Sequence, residues 1–149
     1  MNSHPYLRAY MAGISVPTPL LLVALTLFSI ARFVYNVPIP VERVIIFPMA
    51  IIPNLFGVWN MVHMASRSRT HLPLAIHGAI LPFILAPMGF FLARWLGFLK
   101  TTSHGFVYFG VVEIHFVHAA LVFPAVLIVY YLIWKYLIGF FNRVAGIAG

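Results

Sequence analysis

The sequence predicts an all-α integral membrane protein, a four-helix up-down-up-down bundle with interfacial N- and C-terminal segments. Three observations carry that expectation: an apolar composition, four uninterrupted apolar stretches, and the brevity of the links between them. Of 149 residues 63% are hydrophobic and only 7% charged, whereas an ordinary soluble domain carries about a quarter charged residues. So few charges do not build a water-soluble surface. A chain of this length is read as one domain, residues 1–149.

The apolar stretches fall at about Thr18–Tyr35, Arg43–Ala65, Leu72–Leu99 and Phe106–Trp134. Each approaches or exceeds the length of about 20 helical residues that crosses a hydrocarbon core. The first contains a segment, Pro19 to Ala31, that has the look of a signal-peptide core ending in Ser29-Ile30-Ala31; it is expected to be retained as a span. The second holds Pro48 and Pro53, the third Pro82 and Pro87, and the fourth Pro124. Each removes a backbone donor, which membrane helices tolerate when neighbours satisfy the freed carbonyl.

The links are Asn36 to Pro40, Ser66 to His71 and Lys100 to Gly105, short enough to force consecutive helices antiparallel. The first sixteen residues, with Tyr6, Arg8 and Tyr10, and the last fifteen, with Lys135, Phe140 and Arg143, mix aromatic, basic and apolar types. Such mixtures belong at headgroups.

The third span carries a packing signal. Ala75, Ala79, Pro82, Ala86, Gly89, Ala93 and Gly97 recur at spacings of three and four, forming one stripe of small residues. Such a stripe lets a second helix approach closely, whether from this chain, from a second copy in a homo-oligomer or from a membrane partner protein. The formal charge of +7 does not point to nucleic acid, because the basic residues are scattered over helix ends and links. With the N-terminus cytoplasmic, the inner side holds Arg8, Arg67, Arg69, Lys135 and Arg143, against Arg32, Arg43, Arg94 and Lys100 outside. The positive-inside rule then favours both termini in the cytoplasm of a cell (inner or plasma) membrane.

An ionisable group inside a span needs a partner or a purpose. Glu113 is the only acid in an apolar stretch, and hairpin spacing sets it level with Arg94, with Arg32 the rival partner. A buried ion pair is one expectation; a proton or cation site, as in a small dual-topology transporter, is the other. His115 and His118 stand about 60° apart around a helix and can face one metal ion. Glu113 lies about 140° or more from either on a straight helix, which argues against a triad. His63 and His77 fall within about 3 Å of one depth across the second hairpin, the arrangement that axial ligation of a b-type haem requires.

Asn54 is read as an interhelical hydrogen-bonding group, Met61, Met64 and Met88 as core filler, and Trp59, Trp95 and Trp134 as interfacial belts. The absence of cysteine excludes disulfides and thiolate chemistry. With Glu42 and Glu113 the only acids, carboxylate-pair hydrolysis and phosphoryl transfer lack their usual groups, and no HExxH or phosphate loop occurs. The leading expectation is a structural or accessory bundle that binds lipid or a partner, with no catalytic residues.

Overall fold

The computed structural model describes residues 4–38, 40–108, 110 and 112–147. The chain is mostly helical, in the order α1 (Pro5–Ile14), α2 (Pro17–Phe33), α3 (Phe47–Thr70), α4 (Leu74–Trp95), strands β1 (Leu99–Thr101), β2 (Gly105–Tyr108) and β3 (Val112–His115), then α5 (Phe116–Leu132) and α6 (Gly139–Val144). Wide π-type turns at Glu42–Ile46 and Ile133–Ile138 lead into α3 and out of α5.

Among the described residues three helical runs are long and apolar enough to cross a membrane: Pro5–Phe33 and Phe116–Val144, of 29 residues each, and Leu74–Trp95, of 22. The other expected stretch, Arg43–Ala65, falls mostly in α3. The helix α3 has the length, but Asn54, Asn60, His63, Ser66 and two prolines dilute its apolar character.

The chain divides into two compact units, Met1–Leu72 with Lys135–Gly149, and Pro73–Trp134. In the first, α1 lies antiparallel on α3, because three small residues, Ala9, Ala12 and Gly13, form its buried face. A Cβ on Gly13 would stand 2.6 Å from the carbonyl oxygen of Phe56 and 2.7 Å from Cα of Gly57, so the two backbones touch. On the other side of the contact, Gly57 accommodates the ring of Tyr10. The N-terminal segment is therefore a helix packed on α3, and the C-terminal α6 joins it. Arg8 Nη1 donates to the carbonyl of Ala145 at 3.0 Å, satisfying an acceptor at the end of α6 as a cation suits a helix C-terminus.

In the second unit α4 and α5 run antiparallel. Phe83 meets Phe123 edge-on at 5.2 Å, and Gly78 gives way to the ring of Trp134, which is fully buried. Burial of Trp134 corrects its reading as an interfacial belt residue, whereas Trp95 is 82% exposed. The link between these helices is an antiparallel meander, β1-β2-β3. Phe106 of β2 fixes the sheet to the helices through edge-on contacts with Phe90 and Phe116 at 5.5 and 4.9 Å.

The sheet corrects the all-α expectation and the fourth span: α5 begins at Phe116, ten residues later than expected. Residues 106–115 are rich in Phe, Tyr, Val and Ile, types that suit a pleated surface. Gly110, at φ 72°, supplies the left-handed residue that a hairpin link needs.

Candidate functional site

Polar side chains of the first unit are used in packing. Asn60 is 1% exposed; its Nδ2 donates to the carbonyl of Ala9 at 2.8 Å and to Oδ1 of Asn142 at 2.7 Å. Asn142 Nδ2 returns a bond to Oδ1 of Asn60 at 3.2 Å, so one reciprocal amide pair ties α1, α3 and α6 together. Asn54, expected to hydrogen-bond between helices, is exposed on α3, receives a hydrogen bond from the Tyr10 hydroxyl of α1, and donates to Ala50 O at 2.7 Å.

The expected ion pair changes its members. Arg32 Nη1 lies 2.8 Å from both carboxylate oxygens of Glu42, and its guanidinium stacks over Phe33 at 5.4 Å. The backbone amide bonded to Glu42, followed by the Arg32 guanidinium, holds its carboxyl below the usual glutamate value.

Glu113 is not in a helix. It sits exposed on β3, paired in register with Val107, which pairs in turn with Lys100. Residues directly opposite on an antiparallel ladder share a face, so Lys100 and Glu113 flank Val107 about 10 Å apart, two strand spacings. Arg94 is exposed in the last turn of α4. Among the described residues neither Arg94 nor Glu113 forms an ion pair.

His63 is half-buried on α3 in the first unit. His77, 5% exposed, belongs to the second unit, where its ring stands edge-on to Trp134 at 6.2 Å. The expected haem pair is thus not a site within either unit.

His115 and His118, by contrast, come together: their ring centroids are 5.8 Å apart at an interplanar angle of 82°. His115 ends β3 in extended conformation (φ −65°, ψ 146°) and stands at the N-cap position of α5 without a side-chain cap hydrogen bond. Among the described residues no three His, Asp or Glu side chains converge as a metal site. The small-residue stripe is buried at Ala75 and Ala93 but open at Ala86 and Gly89, and a Cβ on Gly89 would meet nothing within 4 Å. On β2, burial pushes the Tyr108 phenol above its usual value.

The features missed from sequence are the Asn60–Asn142 pair and the α1–α3 contact. The spacing of Ala9 and Gly13, four residues apart, was the available signal.

These arrangements define a mostly helical chain in which, among the described residues, three helical runs are fit by length and composition to cross a membrane, and in which Asn60 and Asn142 serve packing. Comparison with protein families, with curated proteins and with solved structures gives no match.

Proposed function

We propose that this chain is a multi-pass membrane protein of the cell membrane with a structural or accessory role, binding lipid and partner membrane helices through its outer apolar faces. The observation that carries the reading is α5, which buries none of its 17 residues; Leu121, for example, is 70% exposed. An apolar face of this extent marks a membrane or protein contact. The helix α2 presents Leu20, Val23 and Leu27 in the same way.

Four crossings suit the packing better than three. Arg8 and Ala145 stand at the outer ends of the first and last long helices, and their hydrogen bond brings those ends together, which supports an even number of crossings. The fourth crossing is α3. Its 24 residues span about 36 Å, and its buried amide is turned inward on α1 and α6, where intramembrane polar groups find partners. Both termini then share the cytoplasmic side with Arg67 and Arg69. The open part of the stripe Ala75, Ala79, Ala86, Gly89 and Ala93 is the face for a second copy or a partner helix.

Expression followed by alkaline carbonate extraction tests the reading. The protein stays in the membrane pellet and is released only by detergent; release as a monodisperse soluble protein by carbonate alone would overturn it.

A further inference from the structure

We infer that His115 and His118 form a binding site for a divalent first-row transition metal ion at the β3–α5 junction, completed by water. Zinc binds imidazole nitrogen at about 2.1 Å, which sets each ring centroid about 3.2 Å from the ion and two centroids about 5.2 Å apart at the tetrahedral angle. The observed 5.8 Å is within about 0.6 Å of that separation. The rings are now crossed edge to face, but the χ2 torsion of histidine is broad. Rotation about it turns one nitrogen of each ring into the space between them with little movement of the centroids.

Three further features favour a cation there. Both histidines are exposed, so water can fill the remaining coordination positions. Neither imidazole has a hydrogen-bond or ion-pair partner among the described residues, so no existing bond has to be broken. Glu113, two residues before His115 on β3, lies on the same face of the strand about 7 Å away, bringing a negative charge close. On a straight helix that carboxylate would point away; the strand turns it to the histidine side. Neutral imidazole is a common ligand for zinc, copper and nickel, and two imidazoles with water make a site that captures and exchanges an ion rather than a closed structural one.

The test is titration of the detergent-purified full chain with Zn2+ against a chromogenic competitor, with size-exclusion profiles confirming that each variant stays folded. The wild type binds one Zn2+ per chain. His115→Gln and His118→Gln each weaken binding at least tenfold, Glu113→Gln weakens it by a smaller factor of two to three, and His71→Gln leaves it unchanged. Equal Zn2+ binding by the wild type and a His115→Gln/His118→Gln double variant would overturn the assignment, as would an equal loss in His71→Gln.

Discussion

Asn60 and Asn142 show how single polar residues act in this chain. Each is buried, and each is the other's hydrogen-bond partner, so removing one leaves a buried amide unsatisfied. That costs about 1–3 kcal/mol in a protein interior and about 0.6–2 kcal/mol between membrane helices. Asn60→Ala and Asn142→Ala should each destabilise the folded protein by about 1–2 kcal/mol. The double variant should lose less than the sum, because the second substitution removes a group already without its partner. Unfolding in detergent of the four proteins of that cycle measures the coupling, and strict additivity would show that the pair does not form.

The Arg32–Glu42 pair behaves differently because it is open to solvent, and such pairs contribute little. Its sign is nonetheless fixed. The folded carboxyl titrates below its usual value of 4.5, so its contribution is present above that value and is lost as pH falls through the lower folded value. The stability difference between wild type and Glu42→Gln should therefore be small and constant near neutrality and should vanish on acidification, as thermal unfolding across that range will show.

At the scale of elements, close approach occurs at Gly13, Gly57, Gly78 and Gly105; Gly13 and Gly78 are two helix–helix cases, and Gly89 makes the control. Gly13 faces the backbone of α3 and Gly78 faces the buried Trp134, so Gly13→Ala and Gly78→Ala should each cost about 1–3 kcal/mol through overpacking. Gly89 meets nothing, and alanine there should stabilise α4 by up to about 1 kcal/mol through helix propensity. If Gly89→Ala instead destabilises the purified protein as much as the other two, a second copy already occupies that face.

How legible each element was in the sequence follows from the same physics. The long apolar helices α2, α4 and α5 were readable because length and hydropathy suffice. Residues 106–115 were not, since a short apolar run reads equally as a strand or as the start of a buried helix. Gly110 and the charge of Glu113 were the only signs of a break. In α1 the aromatic and basic residues masked the small-residue face formed by Ala9 and Gly13. His115 and His118 were legible as a pair from spacing alone, but their relation to Glu113 depended on the strand-to-helix bend.

For the whole molecule, the accessory reading predicts a colourless protein. A Soret band in the absorption spectrum, lost in His63→Ala or His77→Ala, would instead assign a haem to histidines that lie in different units. The central claim is an even number of crossings, with α3 among them. The chain contains no cysteine, so single cysteines at the exposed positions His4, Arg69, Ser103 and Arg143 can be labelled in sealed membranes with an impermeant maleimide. His4→Cys, Arg69→Cys and Arg143→Cys should react from one side and Ser103→Cys from the other. Labelling of His4→Cys and Arg143→Cys from opposite sides would contradict the account.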